Sequence, residues 1–76
     1  MSKSFFNWTF NQVTRFLNKN GFFYTHAKGS HHYYTGIRNH ETKIVVVPFH
    51  GSKPIKPRTF KSIVLQSGIP IDKWMV

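Results

Sequence analysis

The chain has no cysteine and only two acidic residues, Glu41 and Asp72. Without cysteine there can be no disulfide, no zinc–thiolate centre and no thiol nucleophile. Two carboxylates so far apart in the sequence argue against paired-carboxylate catalysis and against a magnesium site built on several carboxylates. No Ser-His-Asp arrangement can be assembled convincingly. There is no long apolar run and no lipidation motif, so neither a membrane span nor a membrane anchor is expected. The segment Met1–Phe10 lacks the apolar core of a signal peptide, and the expected compartment is the cytoplasm. No internal repeat, linker or low-complexity segment is visible. With 76 residues, a single domain over 1–76 is expected. A domain of this size buries about 60–70% of its unfolded surface. That leaves no room for a deep pocket beside a core, so any active site should be shallow.

What the chain has in excess is positive charge. Eleven Lys and Arg give a formal net charge of +9. Such a field draws in polyanions and speeds their encounter. Nucleic acid is the first candidate partner, an anionic membrane the second and an acidic protein the third. The first and third are compatible, because a nucleic-acid enzyme can be silenced by a partner that covers its site. Eight Phe, three Tyr and two Trp compensate for the small size, each burying a large apolar area.

The pattern predicts a helix over Thr9–Asn20, with Phe10, Val13, Phe16 and Leu17 at helical spacing. Thr9 and Gln12 fit a capping box, and Gly21 suits the left-handed position past the helix end. The aromatics Phe5, Phe6 and Trp8 are expected to pack back on this helix. Phe22–Lys28 and His31–Ile37 read as strands, joined by Gly29-Ser30. Glycine at the first central position of a two-residue loop favours a type II′ turn. Lys28 then lies opposite His31, and His26 opposite Tyr33. Directly opposed residues share a face, so one, more cationic face is expected to carry Lys28, His31, His26, Tyr33 and Tyr24. Ala27, His32, Thr25, Tyr34 and Phe23 would share the other face, toward the core. Arg38–Thr42 reads as a polar turn, and Lys43–Phe49 as a third strand that Pro48 should end or confine to an edge. His50–Pro57 reads as a loop. Pro57 then opens a second helix, carrying Phe60, Ile63 and Val64 and ended by Gly68 and Pro70. The tail from Ile69 is weakly patterned. The order is α-β-β-β-α, an α+β fold with a three-stranded antiparallel sheet and two helices on one face.

Five histidines remain as proton-transfer groups: His26, His31, His32, His40 and His50. RNA carries its own nucleophile, the 2′-OH. Its cleavage needs a base, an acid and cations around the phosphorane. A basic sheet with one exposed histidine would meet those needs with no metal and no cofactor. A metal site on His26, His31 and His50 is disfavoured by spacing, and adjacent strand residues such as His31 and His32 point to opposite faces. Lys53, Lys56, Arg58 and Lys61 cluster around the start of the second helix, where phosphate contact would be helped by the helix dipole.

Several segments together resemble the HicA family of toxins. They are Asn20-Gly21-Phe22, Lys28-Gly29-Ser30-His31-His32-Tyr33-Tyr34, Val45-Val46-Val47-Pro48-Phe49-His50, Lys56-Pro57-Arg58-Thr59-Phe60-Lys61-Ser62-Ile63 and Ser67-Gly68-Ile69. The resemblance implies a double-stranded-RNA-binding-like fold, messenger-RNA interferase activity and a HicB-type antitoxin that covers the active site. It also implies that His31, in Gly-Ser-His, is the catalytic histidine. His50 matches a frequent family histidine, without a catalytic role following from that. Arg58 stands where the family often has glycine and offers an extra phosphate contact, while Tyr33 is suited to stacking on a base. The expected RNA-binding residues are Lys28, Tyr33, Lys53, Lys56, Arg58 and Lys61, with no metal ligand. The competing reading is an RNA-binding module of the same fold that does not cut.

Overall fold

A computed structural model describes residues 7–75. The expected packing of Phe5 and Phe6 lies outside them. The first helix, α1 (Phe10–Lys19), begins at Thr9. The Gln12 amide N–H donates to Thr9 Oγ1 (3.3 Å), and the Thr9 N–H donates back to Gln12 Oε1 (3.0 Å). This is the reciprocal cap the sequence predicts. At the other end, Phe22 N–H donates to Leu17 O (2.9 Å) and Gly21 N–H to Asn18 O (3.3 Å), while Gly21 has φ +84°. These are the two bonds of a Schellman motif, which is completed by an apolar contact between the flanking residues. Phe22 and Leu17, the two positions concerned, are both fully buried. Phe22 therefore belongs to the helix stop rather than to the first strand.

The sheet is an antiparallel meander of β1 (Phe23–Lys28), β2 (His31–Arg38) and β3 (Glu41–Pro48), in that spatial order. Gly29 has φ +57° and Ser30 is not in the positive-φ region, as a type II′ turn requires. The second turn is tighter than the polar stretch Arg38–Thr42 expected from the sequence. Only Asn39 (φ 51°) and His40 (φ 68°) lie outside the ladder. Two successive positive φ angles mark a type I′ turn. Pro48 closes β3, an edge strand, as its missing N–H demands.

The register holds Lys28 opposite His31 and His26 opposite Tyr33, then shifts between Tyr24 and His26 so that Tyr24 pairs with Tyr34 and Phe23 with Thr35. Thr25 is the extra residue of a β-bulge. Its hydroxyl donates to Tyr33 O (3.2 Å). The bulge overturns the expected faces beyond it. Tyr24 moves away from His31 to the helix-side face, where its ring meets Tyr34 (5.9 Å) and His32 (5.8 Å). Phe23, expected to face the core, pairs instead with outward-facing Thr35 and is 61% exposed.

The second helix, α2 (Pro57–Ser67), starts at Pro57 and stops at Gly68, as expected. A short α3 (Ile71–Trp74) follows, in the tail that the sequence patterns only weakly. Trp74 is buried against Phe16 (4.1 Å), Phe60 (5.3 Å) and Trp8 (5.4 Å), and Trp8 stacks on Phe60 (5.1 Å). Trp8 thus packs back as expected. Tyr34, Val45 and Val47 supply the sheet side of the core, and Val13, Leu17, Phe60 and Ile63 the helix side. At Gly36 an added Cβ would fall 2.8 Å from Phe22 Cγ and from Gly21 O. The bare backbone of β2 is what lets the helix stop seat against the sheet. The result is the α+β, double-stranded-RNA-binding-like arrangement with α1 and α2 on one face.

Candidate active site

His31 opens β2. Its strand neighbours are Lys28 on one side and Pro48 on the other. Alternation puts His31 on the outer, solvent face and His32 toward the helices. Accordingly His31 is exposed, while His32 is half-buried with its ring 4.9 Å from Phe10. The Phe49 N–H donates to Ser30 O (2.7 Å). That bond carries the pairing past Pro48 and ties the Gly-Ser-His turn to the end of β3.

Beyond Phe49 the chain folds into a compact loop rather than running loose. Lys53 N–H donates to His50 O (3.3 Å), and Ile55 N–H to Trp8 O (2.7 Å). Thr9 bridges to Pro54. Ile55 is buried in the core, so His50 and Lys56 leave a fixed point. On the far side of this loop α2 lies against the free edge of β3. Gln66 Oε1 accepts from Val46 N–H (2.9 Å), while Gln66 Nε2 donates to Ser62 Oγ (3.0 Å). That contact, from the last turn of α2, covers an edge N–H of β3.

These constraints create a shallow cleft of about 360 Å³ lined by His31, Val46, Pro48, His50, Ile55, Lys56 and Thr59. No side chain caps the start of α2, and Pro57 has no N–H. The amides of Arg58 and Thr59 are therefore open to an anion, helped by the helix dipole. Lys56, at the N-cap, and Thr59, in the first turn, both line the cleft at the mouth of α2. Among the described residues no carboxylate lines the cleft. Glu41 pairs with Lys43 (3.2 Å) at the opposite end of the β2–β3 hairpin, about 23 Å away by strand rise. Asp72 sits in the first turn of α3.

The expected site residues divide. His31 and Lys56 line the cleft, and Lys28 flanks it as the cross-strand neighbour of His31. Tyr33 lies two residues further along the outer face, stacked on His26 with centroids 4.4 Å apart and planes within 9°. Lys53, Arg58 and Lys61 are exposed but are not part of the lining. His50, left without a role by the sequence, enters the cleft. Thr59 was missed, although the Lys-Pro-x-Thr spacing carried the signal. Among the described residues no group of three or more His, Cys, Asp or Glu comes close enough to hold a metal ion. Nor is any helix long and apolar enough to cross a membrane.

A family model described as "HicA toxin of bacterial toxin-antitoxin" matches residues 10–69. The match covers most of the chain and every residue lining the cleft. No curated protein matches the chain.

Proposed function

The chain belongs to the HicA toxin family and is thereby the toxin of a toxin–antitoxin system, and from that premise we propose that it is a metal-independent endoribonuclease acting on messenger RNA in the cytoplasm. The observation that carries this reading is a cleft shared by His31, His50, Lys56 and the uncapped start of α2, with no carboxylate among its described lining residues.

In this reading an RNA phosphate rests between Lys56, Lys28 and the Arg58 and Thr59 amides. His31 takes the proton of the adjacent 2′-OH, and the 2′ oxygen attacks phosphorus. The P–O5′ bond breaks, and the 5′ oxygen leaves with a proton delivered by His50, the other imidazole on the cleft. The products are a 2′,3′-cyclic phosphate and a free 5′-OH. Base, acid and charge stabilisation all come from side chains and backbone amides. Lys53, Arg58 and Lys61 hold flanking phosphates, and Tyr33 contacts a base. A HicB-type antitoxin neutralises the toxin by covering the cleft. The whole of 1–76 acts as one domain.

The chemistry is tested by its products. A single-stranded RNA should be cut to fragments ending in 2′,3′-cyclic phosphate, and the DNA of the same sequence should survive. Cutting of both at equal rates, or fragments that carry a 5′-phosphate, would sink the mechanism.

A further inference from the structure

The bulge at Thr25 has an effect on the outer face of the sheet that a regular ladder could not produce. It turns Phe23 outward, in line with Thr35 and Ile44. Counting away from the cleft, the outer face of β1 and β2 therefore shows Lys28 beside His31, then His26 beside Tyr33, then Phe23 beside Thr35. The spacing between His31 and Tyr33, and between Tyr33 and Thr35, is two strand residues, about 6.7 Å.

His26 and Tyr33 are already stacked face to face, 4.4 Å apart and within 9° of parallel. The His26 ring is fixed by a 3.0 Å hydrogen bond between its Nδ1 and the Thr25 hydroxyl. That hydroxyl has one proton, and it is given to Tyr33 O. Nδ1 is then the donor in the bond to Thr25. His26 is exposed, and among the described residues its second ring face meets no other ring. Phe23 is 61% exposed and likewise meets no ring among the described residues. Phe23 is not isolated: Ile44, in the same cross-strand row, and Ile37, in the next row of this face, are also exposed, and an exposed apolar group of this kind marks an interaction surface.

The geometry points to this face as a platform for single-stranded RNA. Unpaired bases on one side of the scissile phosphate stack first on the His26–Tyr33 pair and then on Phe23. The inference rests on the reading of RNA as substrate, and adds to it a determinant of substrate class. Three features favour RNA over a protein partner. The rings lie in the next rows after the proposed reacting centre, so a strand leaving the cleft along β1 and β2 crosses them. The face carries Lys28, while Glu41 alternates to the other face beside Arg38. The overall charge of +9 provides the attraction that sequence-tolerant stacking platforms use. A base-paired strand cannot offer its base faces to these rings, because they are stacked within the duplex. The platform therefore selects loops and unpaired segments.

The test is binding of a 2′-O-methyl RNA oligonucleotide, which resists 2′-OH attack, followed by anisotropy in unpaired and duplex forms. Phe23→Ala and His26→Ala should each weaken binding of the single strand about tenfold, leave duplex binding within about twofold, and leave the melting temperature unchanged. Phe23→Leu should behave like Phe23→Ala, and Phe23→Trp like the native chain, because the ring and not apolar area is what counts. For the Phe23 variants the salt slope should not change, since no charge is removed. Native affinity in both alanine variants would overturn the platform while leaving RNA as the substrate. Native RNA affinity with loss of antitoxin binding would assign the face to the protein partner and overturn it equally. Failure of the native chain to bind any RNA would remove the ribonuclease reading and the platform together.

Discussion

At the level of single residues, the account depends on two imidazoles meeting at one cleft. His31 is held by the Gly29-Ser30 turn, and His50 by the loop anchored on Ile55. If His50 delivers the leaving-group proton, His50→Gln should lower kcat by about 10²-fold or more, the usual contribution of a positioned acid. Its effect on RNA binding should be small. Single-turnover cleavage beside anisotropy separates the two, and an unchanged kcat would remove His50 from the mechanism. The place of His31 on the outer face, opposite Lys28, was legible in the sequence because its turn chemistry is local; its catalytic role came only from the family resemblance. His50 could not be assigned a role, since what brings it to the cleft is burial of Ile55 and the bond from Ile55 N–H to Trp8 O, both long-range. The displacement of Tyr24 and Phe23 was illegible for another reason. A bulge adds one residue without disturbing the composition of the strand, so simple alternation reads straight through it.

At the level of elements, the hairpins and helix ends were largely written in the sequence, and the joints between elements were not. The capping box at Thr9 and the stop at Gly21 are local hydrogen-bond arrangements with residue signatures. The type I′ turn at Asn39-His40 lacks the usual glycine, so only a polar stretch could be read there. α3 has four residues, too few for periodicity to register, and Trp74 is its one buried residue. Gly36 also passed unnoticed, because the space it leaves is filled from a distant element. Gly36→Ala should destabilise the fold by about 1–3 kcal/mol, the range for forcing extra volume into a packed contact. Here the added Cβ meets backbone as well as a ring, at 2.8 Å. Urea unfolding checks this, and a midpoint equal to that of the native chain would contradict the tight seating of Phe22 on β2.

At the level of the whole molecule, the organising feature is where the few acids lie. Glu41 is neutralised by Lys43 at the far end of the hairpin, and Asp72 sits in α3. The end of the sheet that holds His31 is left cationic. Lys28, Lys53, Lys56 and Arg58 are exposed at or near this end, a placement relative to the acids that composition alone could not show. If Lys56 and Arg58 each contact one phosphate, the paired variant Lys56→Ala, Arg58→Ala should reduce the slope of log affinity against log salt by about 1.4. Titration of single-stranded RNA at several salt concentrations measures it. An unaltered slope would take these two residues out of the phosphate track and leave Lys28 as its main anchor.

The central claim is that His31 is the base of a ribonuclease that needs no metal. The most direct measurement is cleavage of a long single-stranded RNA by the purified native chain and by His31→Ala, side by side in excess EDTA. His31 is exposed, so the variant should retain native stability to within about 0.5 kcal/mol, and a melting curve would document that. The account predicts cutting by the native chain and none by His31→Ala. Equal cutting by both proteins would contradict it.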